Sequence, residues 1–235
     1  MKLAVIPARG GSKRIPRKNI KPFCGKPMMA WSIAAALDSG CFDRVIVSTD
    51  DDEIADVAKQ YGAEVPFMRP AALSDDRTGT IPVIGHAIEW FNRHGAPPEL
   101  ACCIYATAPF VTAADLRRGL DTLNAAGSDY AFSVTTFPSP IQRAFRITAA
   151  GRIEMFQPEL FNMRSQDLEE AFHDAGQFYW GRSSAWLAGD IVFGPSAAPV
   201  ILPRHRVQDI DTDEDWRMAE YLFRVIGLAN DELRK

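Results

Sequence analysis

Apolar residues in the first half of the chain fall into short unbroken runs, separated by longer stretches with helical spacing. Lys2–Pro7, Arg44–Ser48 (RVIVS) and Ala101–Tyr105 are almost wholly apolar inside, as expected of strands covered on both faces of a parallel sheet. Glu64–Met68 reads as a further strand. MMAWSIAAALDS follows Pro27, which suits a first helical turn, and stops at Gly40. DDEIADVAKQY takes Asp50 or Asp51 as its N-cap and ends at Gly62. Further helices are predicted over about Thr80–Arg93 and Ala113–Ala125. Alternation of this kind with short links implies an α/β, Rossmann-like parallel sheet flanked by helices. Ligands of such sheets sit beyond the carboxyl ends of the strands.

After residue 130 the pattern changes. Tyr130–Thr136 is a strand, but FPSPIQ breaks it with two prolines, and AFRITAAGRIEMF reads as a hairpin turning at Ala150–Gly151. Gln157–Asp174 is polar with little periodicity. These features predict one domain over residues 1–235, with an arm inserted at about 137–175. The arm is either a dimer contact or a surface excursion. Sheet character resumes at Gln177–Trp180 and Val200–Leu202, and a helix from about Asp213 to Gly227 closes the chain.

Composition narrows the class. The 235 residues are 47% apolar and 24% charged, ordinary for a chain that buries a real core. A net charge of −4 argues against a general nucleic-acid or anionic-membrane binder. No apolar run approaches the ~18 residues of a membrane span, and the chain opens on a strand rather than a long apolar leader, so a cytoplasmic protein is expected. The four cysteines form no Cys-x-x-Cys pair and the four histidines lack zinc-ligand spacing.

Against this mildly acidic background, residues 5–19 read VIPARGGSKRIPRKN. A strand runs into a turn carrying Gly10, Gly11 and Ser12, with Arg9, Lys13, Arg14, Arg17 and Lys18 around it. Adjacent glycines let a backbone approach a ligand closely, and the cations would neutralise a polyphosphate. The motif is neither a P-loop nor a dinucleotide fingerprint, because the terminal Gly-Lys-Ser/Thr and the third glycine are missing. A turn with a solvated basic face is the bland alternative.

A second constellation lies in ILPRHRVQDIDTDEDW. In extended chain Asp209 and Asp211 project from one face. Two such carboxylates suit a hard divalent ion such as Mg²⁺, which completes its shell with waters and substrate phosphates. Locally, Thr212 can also cap the final helix with Asp215 reaching back. Arg69, followed by Ser74-Asp75-Asp76, belongs to a polar loop on the same sheet edge, where Arg69 reads in isolation as a surface charge. Tyr105 and Thr107 end a strand; Tyr105 reads either as a core aromatic or as a ring offered to a base.

Taken together, IPARGGSKRIPRKN at 6–19, VSTDDDEIA at 47–55, RP at 69–70 with LSDD at 73–76, ATAPF at 106–110 and QDIDTDEDW at 208–216 resemble the acylneuraminate cytidylyltransferase family. KPFCGKPM at 21–28, VPFMRP at 65–70, DAGQFYWG at 174–181 and LPRHRVQDID at 202–211 look most like its pseudaminic acid branch. The resemblance implies a nucleotide-diphospho-sugar transferase fold, with a mostly parallel seven-stranded sheet and a homodimer built through the arm. It also implies the reaction of CTP with a nonulosonic acid to give a CMP-sugar and pyrophosphate, for bacterial surface glycans or flagellin glycosylation. Related sugar acids, or a nucleotide-binding protein without catalysis, are the rival readings.

By position the resemblance assigns Arg9, Ser12, Lys13 and Lys18 to the triphosphate, with the backbone of Ala8, Gly10 and Gly11 beside them. It puts Asn19, Arg69 and Ser74 on the ribose or cytosine side and Tyr105 and Thr107 in the base pocket. Arg9, Lys13, Lys18 and Asp211 carry catalysis, and Asp209 and Asp211 hold Mg²⁺. Gln142, Arg143, Arg164, Gln177 and Tyr179 are sugar-pocket candidates. The chain departs from the family where Tyr105 replaces a common Gln and His173 a common Arg. It also has no acidic residue between Ala101 and Ala114, which leaves the metal to Asp209 and Asp211.

Overall fold

The computed structural model describes residues 1–232. Its elements in chain order begin with β1 (Lys2–Pro7), the two-residue strands β2 (Pro22–Phe23) and β3 (Lys26–Pro27), α1 (Met28–Ser39), β4 (Arg44–Ser48) and α2 (Asp52–Gln60). Then come α3 (Thr80–Arg93), β5 (Leu100–Ile104), α4 (Ala113–Ala126), β6 (Tyr130–Thr136) and the hairpin β7 (Phe145–Ile147) and β8 (Ile153–Met155). The chain continues through β9 (Phe172–Arg182), α5 (Ser183–Ala188), β10 (Ala197–Ile201) and α6 (Asp213–Glu232). No described helix is long and apolar enough to cross a membrane.

The main sheet has the order β10-β6-β9-β5-β1-β4. β4, β1 and β5 run parallel, as do β6 and β10, while β9 runs antiparallel between β5 and β6. Alternation along β1 splits the core: Ala4 and Ile6 pack with α1 and α4 on one face, Leu3 and Val5 with α3 and α5 on the other. Burial of each aliphatic side chain in these layers contributes roughly 1.5–3 kcal/mol.

The sheet has six strands, not the expected seven. Residues 64–68 follow the edge of β4 through isolated bridges only, Ile46 with Glu64 and Thr49 with Met68. Pro66 lies between them without an N–H to donate, which interrupts the ladder. β9 starts at Phe172 rather than Gln177, because its first residues pair with the end of β6 across a register shift. The last helix passes through Gly227, where it was expected to stop; a helical glycine costs only about 1 kcal/mol.

Local signals otherwise act as anticipated. Gly40 ends α1 in left-handed conformation and Gly62, also with positive φ, follows the end of α2. Asp51, rather than Asp50, caps α2 by accepting from the Ile54 N–H at 3.0 Å. Thr212 and Asp215 form the reciprocal capping box of α6. Residues 137–171 leave the sheet between β6 and β9, and there Phe145, Ile147, Ile153, Phe156 and Phe161 stand exposed. A third apolar cluster gathers Ile15, Phe23, Phe110, Ile210 and Trp216. It joins the early basic loop to the late acidic segment from beneath.

Candidate active site

The early loop is pinned before it reaches the cavity. The Ala8 N–H donates to Ser48 O at 2.9 Å and the Gly10 N–H to Asp50 Oδ1 at 2.9 Å. Ala8 is fully buried and is not among the residues that line the cavity, so its expected place beside the triphosphate is not what the structure shows. The Gly10 N–H is likewise engaged by Asp50 and not turned freely inward. Arg17 adopts a left-handed φ of 55°. Its guanidinium forks onto Asp51 at 2.5 and 2.9 Å and also pairs with Glu53. Bonding to Asp51 raises Arg17 beyond its ordinary range and lowers Asp51. Of the five cations, Arg17 thus anchors the loop instead of facing the cavity.

The other four converge. A cavity of about 370 Å³ at the carboxyl ends of β1 and β5 is lined by Arg9, Ser12, Lys13, Lys18, Tyr105 and Asp211, among others. Asn19, Arg69 and Thr107 line it too, as does Arg14. Lys18 Nζ donates to Ile210 O at 2.7 Å and stands 3.3 Å from Asp211 Oδ1, while Arg14 pairs with Asp211 at 2.9 Å. Arg9 reaches Asp76 at 2.7 Å and Asp75 O at 2.8 Å, and Lys13 also pairs with Asp76. Asn19 is buried and donates to Arg9 O at 2.9 Å. The early and late motifs, far apart in sequence, therefore share one wall.

Arg69 is not a surface charge. Its side chain is 3% exposed, and it lies deep in the cavity wall below the sheet edge. Nε donates to Ser74 Oγ at 3.2 Å, Nη2 has no hydrogen-bond partner, and Asp50 stands 3.8 Å away. Burial lowers its pKa, against the pull of Asp50. An unpaired buried guanidinium nitrogen is costly and points to a ligand acceptor. Ser74 supports Arg69 without itself lining the cavity.

Tyr105 is both wall and partition. It faces the first cavity and a second, apolar one of about 350 Å³, lined by Ile81, Tyr179, Trp186, Val192 and Phe193. Its hydroxyl lies 3.4 Å from Thr80 Oγ1, and burial raises its pKa. The Tyr179 hydroxyl donates to Asp174 Oδ2 at 2.5 Å. Sequence reasoning missed Trp186, Val192 and Phe193. The apolar run Ile191–Phe193 was the available signal, but periodicity does not separate it from ordinary core.

The remaining sugar candidates lie elsewhere in this chain. Gln142 donates to Glu169 O, Arg143 to Met163 O, and Arg164 pairs with Asp167, all within the arm. Gln177 is buried with its amide on Arg206 O at 2.6 Å.

Asp209 and Asp211 flank the buried Ile210; Asp211 lines the cavity, whereas Asp209 is not among its lining residues. Crowding by the protein and then the Asp211 charge raise Asp209. A cation between them would relieve that repulsion. No cluster of three or more acidic, Cys or His side chains suited to a metal occurs among the described residues. A pair of carboxylates is a donor set that Mg²⁺ accepts, since that ion completes its shell with waters and substrate phosphates instead of an all-protein cage.

Residues 3–184 match the family model described as cytidylyltransferase. The chain belongs to the cytidylyltransferase family. It is 46% identical over 223 residues to the pseudaminic acid cytidylyltransferase of Campylobacter jejuni, covering 95% of this chain and 96% of that protein. It is 31% identical to the CMP-N,N'-diacetyllegionaminic acid synthase of Legionella pneumophila, again over 95% and 96%. A solved structure of CMP:2-keto-3-deoxy-manno-octonic acid synthetase complexed with CTP superimposes with a TM-score of 0.68. That match covers 95% of this chain and 98% of the other at 15% identity, a likeness of fold. The family match ends before Asp209, whereas the Campylobacter likeness extends over nearly the whole chain.

Proposed function

We propose that the protein transfers the cytidylyl group of CTP to the anomeric hydroxyl of pseudaminic acid, giving the CMP-sugar and pyrophosphate. The observation that carries this reading is the single cavity in which the basic loop, the end of β5 and Asp211 meet, in a chain that resembles pseudaminic acid cytidylyltransferases over 95% of its length.

Arg9, Ser12, Lys13 and Lys18 bind the triphosphate, with Arg14 beside them. Asn19 and Arg69 take the ribose and cytosine side, where the unpaired Nη2 of Arg69 suits a carbonyl acceptor. Tyr105 and Thr107 border the nucleoside. The apolar second cavity receives the acyl substituents of the sugar, so that Tyr105 separates the two substrates. The sugar hydroxyl oxygen attacks the α-phosphorus, the bond to the bridging oxygen breaks, and pyrophosphate leaves. The hydroxyl proton passes to water or to a carboxylate of the Asp209/Asp211 pair. Mg²⁺ held by that pair would supply charge neutralisation for the phosphates. Placing two bound reactants in line lowers such a barrier by roughly 7–11 kcal/mol in favourable cases. Lys13 and Lys18 then stabilise charge gathering on the departing pyrophosphate.

The exposed apolar arm residues favour a homodimer built through the arm, with Gln142, Arg143 and Arg164 serving a neighbouring subunit's sugar site. The deciding assay measures pyrophosphate release from CTP over a panel of pseudaminic, legionaminic, N-acetylneuraminic and 3-deoxy-manno-octulosonic acids, with Mg²⁺ present and withheld. Pseudaminic acid should be turned over fastest and only with Mg²⁺. A faster rate with another acid would replace the assigned sugar, and CTP binding without release for any acid would remove catalysis.

A further inference from the structure

The segment between β10 and α6 carries both late aspartates, yet residues 207–212 have no helix or strand of their own. What holds it is a set of contacts that begins at a residue outside the cavity. Asp115, in the first turn of α4, is only 3% exposed. Both its oxygens meet the Arg206 guanidinium, Oδ2 at 2.5 Å and Oδ1 at 3.2 Å, in the forked geometry that fixes a guanidinium in orientation as well as distance. The same carboxylate accepts from Thr112 Oγ1 at 2.6 Å and from Arg118 Nη2 at 3.1 Å. Arg118 Nη2 in turn donates to Ile201 O at 3.0 Å, where the segment leaves β10. From the opposite side Gln177 Nε2 grips the Arg206 carbonyl.

Beyond Arg206 the chain is tied again from Ile210 onward, by the burial of Ile210, by Lys18 on its carbonyl, by Arg14 and Lys18 on the Asp211 carboxylate, and by the Asp211 N–H on Asp215. Asp209 lies between the Arg206 anchor and the Ile210 anchor. Loss of the Asp115 fork frees the Arg206 side chain and leaves that end held through its main chain alone, by Gln177 and Pro203.

We propose that Asp115 is a positioning residue, which acts through Arg206 to hold the Asp209/Asp211 pair in the register that receives a divalent ion with the nucleotide. This rests on the assignment of the pair to the metal. An ordinary helix-capping role is the competing explanation, since the Asp115 N–H also donates to Thr112 Oγ1 at 3.2 Å. Capping alone predicts lower stability with no change in metal affinity. Positioning predicts a change in metal affinity that Arg206 variants share.

The test uses Mn²⁺ titrated into the full chain loaded with CTP. Water-proton relaxation separates protein-bound Mn²⁺ from Mn²⁺ on free CTP. Asp115→Asn and Arg206→Met should each weaken Mn²⁺ binding at least tenfold, with Arg206→Lys between them and wild type. Binding of CTP without metal should shift less than threefold. Asp115→Asn that melts earlier but binds Mn²⁺ within twofold of wild type overturns the positioning role and leaves only the cap. If Asp115→Asn does not fold, Arg206→Met carries the same comparison, and Mn²⁺ binding within twofold of wild type there overturns the proposal. Wild-type protein that takes up no Mn²⁺ with CTP overturns the metal assignment together with the proposal. Normal wild-type uptake with unchanged variants overturns the positioning role alone.

Discussion

The two adjacent glycines of the basic loop look equivalent in sequence, and the structure separates them. A Cβ built at Gly10 would lie 2.6 Å from Asp51 Oδ2, 3.0 Å from its Cβ and 3.2 Å from its Cγ. One at Gly11 would meet nothing within 4 Å. Asp51 has little freedom to retreat. It accepts both bonds of the Arg17 fork and caps α2 through the Ile54 N–H. Gly10→Ala must therefore either rotate Asp51, losing a cap of about 1 kcal/mol together with the Arg17 pair, or lift the loop.

Overpacking of this kind costs about 1–3 kcal/mol, which for a chain of this size lowers Tm by about 2–12 °C. Gly11→Ala should leave stability within about 0.5 kcal/mol of wild type. The two variants are compared by chemical denaturation, and CTP binding is measured on each by calorimetry. If phosphate oxygens pack on the Gly11 backbone, Gly11→Ala weakens CTP binding without altering Tm, whereas Gly10→Ala loses both. Equal stability of Gly10→Ala and wild type would refute the reasoning, because the Asp51 contact would then not constrain the loop.

Lys18→Met removes a charge-assisted contact worth about 1.5–3 kcal/mol, so kcat/KM for CTP should fall roughly 10- to 150-fold; a change below threefold removes Lys18 from the site. Asp211→Ala should abolish turnover while circular dichroism and Tm stay close to wild type, and normal CMP-sugar formation by it would end the metal assignment. Phe193→Ala opens the apolar cavity and should raise KM for the sugar while KM for CTP holds; the reverse pattern would place that cavity outside the sugar site. The Asp115 carboxyl is pushed up by burial, but Arg206 and Thr112 outweigh that and hold it below its ordinary 3.8. The unfolded chain then takes up the proton first, so this stabilisation is complete above the unfolded value and is lost as pH falls through the folded one. Urea denaturation should show the gap between wild type and Asp115→Asn constant near neutrality and closing below about pH 4; a gap independent of pH would contradict the ion pair.

Much of the architecture was legible because its signals are local. Apolar runs marked the strands, Gly40 and Gly62 marked helix ends, and the Thr212/Asp215 spacing marked the start of α6. Glu64–Met68 misled because its composition is strand-like while one proline removes the ladder. The site was legible as residue types and not as directions. Arg17 looked like a phosphate ligand until its left-handed backbone turned it onto Asp51. Arg69 looked exposed because no local pattern records that a strand edge and the 71–78 loop close over it. Asp115 and Arg206 could not be paired from sequence, since each has closer neighbours of the right charge and only the sheet order brings α4 beside the late segment.

The acidic residues of the cavity have a physical purpose that binding by cations alone does not explain. Asp76 holds Arg9 and Lys13, and Asp211 holds Arg14 and Lys18. Such pairs add little stability where both partners are open to water, about 0–1 kcal/mol, and Lys13 is 79% exposed. Stability is therefore a weak reason for their presence. Long cationic side chains lose about 0.5–1.5 kcal/mol each when a ligand immobilises them. Carboxylates that already orient four of them reduce that loss before a triphosphate arrives. The four cations still exceed these two carboxylates by two charges, so the pairing leaves net attraction for phosphate. Asp211 is the partner of Lys18 and, in the proposed reading, also half of the metal pair. On that reading phosphate binding and metal binding would be coupled through one carboxylate, and a substitution at either Lys18 or Asp211 should disturb both.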